Sequence, residues 1–401
     1  MKKYLVILCM CIGCLFACQS DSGLSKTEKQ PVKLIFAADP HYIAPELNDG
    51  GAAFQKLMSN GDGKYLYKID EITEAFVQKC IEEHPDAVLL GGDLTFNGAK
   101  ISHEALIEKL RRIEEEGIPV LVIPGNHDLG AYYDARFEGD HYAIVESMKP
   151  DTFREAYADF GLNEALMICE DSFSYVYELR DDLWILALDS NSNQVGFLSE
   201  KTLSFVQEAQ QEAERRKARL LVMTHQTLLS HQVFIPGMRI ENAAELLDIL
   251  EPENVILCLC GHMHIQHVSE EDGFTEAASS ALSVTLVQYA EITLDGHTLQ
   301  YQTHSVSGEL AAEARAFFKT QAYERTLAGL KEDTSEETAE LLAETFAEVN
   351  TTYFEGGNDP RIPEGGIEAW GKNGGLTAAY LISAAQEMRE GEGHQSFTLE
   401  Y

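Results

Sequence analysis

Five short segments of this 401-residue chain carry side chains that bind transition metals. They are Asp39-Pro40-His41, Gly92-Asp93, Gly125-Asn126-His127-Asp128, a lone His225, and Gly261-His262-Met263-His264. Imidazole nitrogens mixed with carboxylate and amide oxygens suit Mn²⁺ or iron, and also Zn²⁺, better than Ca²⁺ or Mg²⁺. Such a donor set can serve a pair of cations, provided one ligand bridges them. Two cations about 3.5–4 Å apart neutralise an anionic phosphoryl group and acidify water. A carboxylate can bridge, and Asp93 fits that place. The Asp-x-His and His-x-His spacings would let both side chains of an extended segment point the same way. Glycines before Asp93, Asn126 and His262 permit tight turns and close backbone approach. Each segment alone is weak, because a lone histidine near a strand end is usually structural or solvated. The five together, in this order, carry the inference.

The elements that must position these residues are also readable. Apolar runs at 32–38, 87–90, 120–123, 220–224 and 255–260 each end at one of the five segments. Each reads as a buried strand. Every candidate ligand therefore falls at or just past a strand's C-terminal end, where open α/β sheets place their sites. Residues 68–83 and 102–116 have helical rhythm. Residues 174–179 and 183–188 read as a strand pair turning at Asp181-Asp182. A second hairpin pairs 285–294 with 297–304 around Asp295-Gly296, and Asp-Gly is a strong hairpin signal.

The motif set resembles the calcineurin-like metallophosphoesterase superfamily, whose pattern runs D-x-H, G-D, G-N-H-[D/E], H, G-H-x-H. All elements stand here unsubstituted. The resemblance implies an α/β four-layer αββα sandwich and metal-dependent hydrolysis of phosphate esters. It implies two divalent transition metals per chain. Asp39, His41, Asp93 and His264 would hold one metal, and Asp93, Asn126, His225 and His262 the other. His127 would stand over the substrate, to stabilise the transition state or protonate the leaving oxygen, with Asp128 orienting it. Purple acid phosphatases carry Tyr where Phe96 stands and another residue in place of His41, so that branch is disfavoured. With the long segment 42–66 after His41, a lipobox-like leader and a helical tail, the chain resembles exported bacterial phosphoesterases grouped with class III cyclic-nucleotide phosphodiesterases. A small diester, such as a cyclic nucleotide, is the expected substrate. A phosphomonoesterase on the same site is the rival reading, and a metal-stabilised surface binding module without catalysis is the third.

The formal net charge is −36, from 30 basic and 66 acidic side chains. That field disfavours long nucleic acid as a partner but not a small ester, because bound cations dominate inside a metal site. Residues 1–17 read as a lipoprotein signal: Lys2 and Lys3, an apolar stretch, then Leu15-Phe16-Ala17-Cys18. This leader resembles a bacterial lipobox. It implies lipid attachment at Cys18, a membrane anchor and an extracytoplasmic location, with 18–31 as tether. An ordinary secretory signal that happens to carry Cys is the alternative. Cys80, Cys169, Cys258 and Cys260 suggest no disulfide framework; Cys258 and Cys260 share one face of the run 255–260 and read as buried small hydrophobes, with thiolate metal ligands as the minority alternative. The catalytic domain is expected over 32–307 and a small helical C-terminal domain over 308–401. In that tail Thr334 and Glu337 form a capping box for a helix through Tyr353, and another helix runs over 376–389. Residues 42–66 leave the first ligand directly, so they are expected to line the cleft. Tyr42 either contacts substrate or packs beneath that loop. His141 and His231 read as solvated loop residues, with reach to a substrate as the minority alternative.

Overall fold

The computed structural model describes residues 30–130, 134–232, 237–330, 334–391 and 393–401. The leader, Cys18 and all but the end of the tether lie outside the described residues. Two sheets form the centre. The first runs Ser396–Glu400, Thr298–Ser305, Gln288–Asp295, Val32–Ala37, Ala87–Leu90, Val120–Val122. Its last three strands are parallel and the others antiparallel. The second runs His267–Glu271, Phe274–Ala278, Val255–Cys260, Arg219–Met223, Leu183–Ala187, Tyr175–Arg180, Met167–Ile168. Both expected hairpins are present.

Period-2 alternation decides which face each residue serves. Leu183, Ile185 and Ala187 join Leu34, Phe36, Leu89 and Leu121 in the main core between the sheets. Trp184, Leu186 and Leu188 point the other way, onto Phe205, Val206 and Ala209 of the helix Glu200–Arg216. Helices Ile69–Glu83 and Lys100–Glu114 bury Ile72, Phe76, Leu106 and Leu110 against the first sheet. The order is helix, sheet, sheet, helix, the expected four-layer α/β sandwich. Cys258 and Cys260 share one fully buried face, as small hydrophobes. No helix of the described residues is long and apolar enough to cross a membrane.

The C-terminal region differs from expectation in three ways. Its second helix, Glu336–Phe354, is capped by Ser335, whose side chain accepts from the Thr338 amide. The cap therefore sits one residue beyond Thr334. A short helix, Gly366–Asn373, precedes Gly375–Glu390. The expected helical tail also ends in a strand, since Ser396–Glu400 pairs with Thr298–Ser305 at the edge of the first sheet. The tail's apolar core takes in Cys260, Met263, Ile265 and Ala278 along with Leu342, Val349, Tyr353 and Trp370. Burying that surface needs both parts of the chain. Met263 lies between two candidate ligands, so the tail packs on the ligand loop itself.

Candidate metal centre

The loops that leave the strand ends are tied to one another before any side chain is considered. The amides of Asp39, His41 and Tyr42 donate to the carbonyls of Gly92, Asp93 and Leu94, each at 3.0 Å. The Gly261 amide donates to the His225 carbonyl at 3.0 Å. Asp39, His41, Asp93, His262 and His264 all have positive φ, from 46° to 66°. The paired side chains of Asp-x-His and His-x-His therefore converge through left-handed turns, not along an extended strand as the spacing suggested. Each such residue costs about 1–3 kcal/mol of backbone strain, which persists only where surroundings enforce it. Glycines make room for this crowding. A Cβ at Gly125 would lie 2.2 Å from the Asp93 amide nitrogen, and one at Gly261 2.5 Å from Asp39 Oδ2.

All seven sequence-derived metal-ligand candidates come together. Asp39, His41, Asp93 and His264 present donor atoms within 4.8 Å of one another, as do Asp93, His225 and His262. Asp93 belongs to both groups. His41 Nε2 lies 3.1 Å from His264 Nε2 and 3.6 Å from Asp93 Oδ2. His225 Nε2 lies 3.3 Å from Asp93 Oδ1 and 3.0 Å from Asn126 Oδ1. The opposite ring nitrogen, His225 Nδ1, donates to the Gly91 carbonyl at 2.8 Å, which leaves Nε2 aimed at the cluster. His262 donates its amide to Asp39 Oδ2 at 2.9 Å.

These donors fit a cation pair. Asp39 Oδ1 is buried with no hydrogen-bond partner, a cost that a bound cation removes. Burial, reinforced by Lys64, holds the His41 pKa well below its ordinary value, and burial takes His262 down to about 4. Both rings are thus held neutral, the form that ligates. Burial alone would also lower His225, but Asp93 raises it to about 9. The same negative field attracts a metal ion.

His127 stands at the open edge. Its ring is 4.9 Å from that of His41, and its Nε2 is 4.0 Å from Asp93 Oδ2. Nδ1 is 2.7 Å from the Phe96 carbonyl and 3.0 Å from Asn97 Oδ1. Asp128 does not orient this ring, contrary to expectation. Its carboxylate accepts from the amides of Leu94, Thr95 and Gly125 and from Thr95 Oγ1, at 2.8–3.0 Å. Asp128 instead joins the loops that carry Asp93 and Asn126.

Two residues at the site were not read from the sequence. Asp62 lies 3.8 Å from His264 Nδ1, and the ammonium of Lys64, 7% exposed, pairs with Asp62. Gly61-Asp62-Gly63-Lys64 gave only a glycine-spaced charge pair as a signal. Tyr42 packs under the loop, 1% exposed, its hydroxyl donating to Asp70 at 2.8 Å. His141 is exposed beside Asp140. His231 is neither solvated nor at the site. It is buried on Glu276 at 3.0 Å and faces His267 Nδ1 at 2.9 Å. His267 in turn meets Glu387 of the tail at 2.6 Å. His394 Nδ1 accepts from the Val268 amide, which directs its protonated Nε2 to Glu387. This cluster fastens the tail.

The pattern of a family described as calcineurin-like phosphoesterase matches residues 32–266. No curated protein matches this chain in sequence. Among solved structures, a dimetal phosphatase from Danio rerio is 12% identical, with 69% of this chain and 96% of that one covered at a TM-score of 0.52. A putative 5'-nucleotidase from Staphylococcus aureus is 13% identical, with 74% of this chain and 59% of that one covered at a TM-score of 0.42. The first likeness shows a shared fold. The chain belongs to the calcineurin-like phosphoesterase family and is a hydrolase of phosphate esters, and the family implies a dinuclear divalent metal centre.

Proposed function

We propose that this calcineurin-like phosphoesterase is a phosphodiesterase acting on small diesters. The observation that carries the reading is the pair of donor clusters sharing Asp93. Asp39, His41, Asp93 and His264 would hold one cation; Asp93, Asn126, His225 and His262 would hold the other. Mn²⁺ or iron suits this mixed nitrogen and oxygen set, with Zn²⁺ the third candidate. When bound, the cation pair neutralises phosphoryl charge and lowers the pKa of water. The chain's own residues do the rest. The neutral imidazoles of His41 and His262 offer their lone pairs, His225 would release its proton as a cation binds, and the tied loops keep the seven donors converged. His127, hydrogen-bonded through Nδ1 to the Phe96 carbonyl, points Nε2 at the space beside Asp93. There, as the imidazolium with a proton on each ring nitrogen, it would meet the ester and stabilise or protonate the leaving oxygen.

Electrostatics favours a diester over a monoester. A diester is a monoanion near neutral pH, whereas a monoester approaches a dianion. A net charge of −36 repels the second more strongly and long nucleic acid most of all. Chromogenic mono- and diesters tested with Mn²⁺, Fe²⁺, Zn²⁺ and Mg²⁺ should show the diester ahead in kcat/KM with a transition metal. A monoester turned over faster with every metal would assign the site to a phosphomonoesterase, and fast cleavage of long single-stranded DNA would defeat the electrostatic argument.

The same proposal places the enzyme outside the cytoplasm, anchored to the membrane by lipid on Cys18. Support comes from the basic, apolar and Leu15-Phe16-Ala17-Cys18 segments in sequence. Cys18→Ser expressed in a bacterium should release the protein or leave its leader uncleaved. Continued lipid labelling would refute the anchor.

A further inference from the structure

A cavity of about 470 Å³ lies between the Asp62–Gly63 loop and the tail helices. That volume suits a small organic ligand. Its walls are of two kinds. Phe318, Phe346 and Trp370 supply aromatic surface, whereas Gln321 and Asn373 supply amide donors and acceptors. Planar aromatic walls with a few polar groups take a flat ring and hydrogen-bond its edge.

The cavity adjoins the metal centre through Asp62. Asp62 lines it, and the Asp62 carboxylate lies 3.8 Å from His264 Nδ1. The loop that carries Asp62 is held against the helix Gly308–Gly329. Gly63 has φ of +95°, and a Cβ there would lie 2.5 Å from the Phe318 ring. Arg325 of the same helix donates to the Gly61 carbonyl. Apart from Asp62 and Gly63, the lining residues named here fall beyond residue 266, where the family match ends. The tail supplies none of the seven candidate ligands, so this cavity is not required to hold metal.

We propose that the tail cavity is a substrate pocket for the organic part of the ester, and that the part it takes is a planar heteroaromatic group of the nucleoside class. This rests on the phosphodiesterase reading and deepens it. The phosphate sits at the Asp93-centred cluster, and the ring passes Asp62 to lie among Phe318, Phe346 and Trp370. Burial of the ring supplies affinity, and Gln321 and Asn373 read its edge. The tail is then the specificity element of the enzyme.

The test compares two diesters with the same nitrophenolate leaving group: thymidine 5'-(4-nitrophenyl) phosphate and methyl 4-nitrophenyl phosphate. Ala322→Phe narrows the cavity from the helix Gly308–Gly329. It should raise KM for the thymidine ester by at least about tenfold, as an obstructed ring pocket does, and leave kcat/KM for the methyl ester within about twofold. Asn373→Leu, on the other wall, is the second variant should the first not fold. It should weaken the thymidine ester alone. Equal effects on both esters, or none, overturn the pocket. A binding readout separates this failure from failure of the phosphodiesterase reading. Trp370 lines the cavity, whereas the chain's other tryptophan, Trp184, lies in the second sheet. Adenosine should quench Trp370 fluorescence saturably, and Asn373→Leu should weaken that response even if no ester is hydrolysed. No saturable quenching in the wild-type protein counts against the pocket whatever the hydrolysis assays give.

Discussion

At the residue scale the site turns on Asp93, whose two oxygens face different histidines: Oδ1 faces His225 and Oδ2 faces His41. His264 touches only one cluster. His127 holds no place in either cluster, so His127→Ala should retain both metals and lower kcat by about 10²–10⁴, the scale of a lost acid–base group. The loss should shrink for esters with very acidic leaving groups, which need no proton. Equal loss across a leaving-group series would assign His127 to charge stabilisation alone. Residue types marked the five segments as metal-binding, because metal chemistry restricts which side chains can serve, and the family resemblance picked the seven ligand candidates out of them. The role of Asp128 was not legible. Neighbouring positions suggested a His–carboxylate pair, but a side chain's partner depends on the turn it leaves. Here the turn sends the carboxylate back to Leu94, Thr95 and Gly125. Asp62 and Lys64 escaped notice because no short pattern links them to His264, some two hundred positions away.

At the scale of elements, strand ends position ligands and two fastenings hold them. The first is Asp128. In Asp128→Asn the new amide group must face backbone N–H donors whichever way it turns. One unsatisfied buried donor costs about 1–3 kcal/mol. Asp128→Asn should therefore lower the denaturation midpoint and kcat together, by loosening the loops of Asp93 and Asn126. An unchanged midpoint would contradict the fastening. The second is the tail cluster around Glu387. Burial alone would raise the Glu387 carboxyl, but hydrogen bonds from His267, His394 and Tyr353 hold it down at about 2. A carboxyl depressed by folding stabilises at pH above its unfolded value of about 4.3, and the contribution fades as pH falls toward the folded value. Glu387→Gln should thus destabilise at neutral pH and flatten the acid limb of the stability curve between about 4.3 and 2. Parallel acid limbs in variant and wild type would remove Glu387 from the fastening. Strands and hairpins were readable from apolar runs and Asp295-Gly296. The strand Ser396–Glu400 was not, since its alternating exposure at a sheet edge gives no continuous apolar run.

At the scale of the whole molecule, sandwich and tail share their apolar surface, and Met263 brings that shared surface to the ligand loop. Apolar runs and helical periodicity made the alternation of strands and helices legible, and the motif resemblance implied the four layers. The dependence of the tail on the sandwich was not, because packing partners distant in sequence leave no local signal. The central claim is a dinuclear centre bridged by Asp93, and metal stoichiometry tests it most directly. Protein reconstituted with Mn²⁺ or Fe²⁺, freed of excess metal and measured by elemental analysis, should carry two metals per chain in the wild type. His264→Ala should keep close to one, and Asp93→Ala should lose affinity at both positions. A fully active wild type with a single metal, or Asp93→Ala binding two with unchanged affinity, would contradict the account.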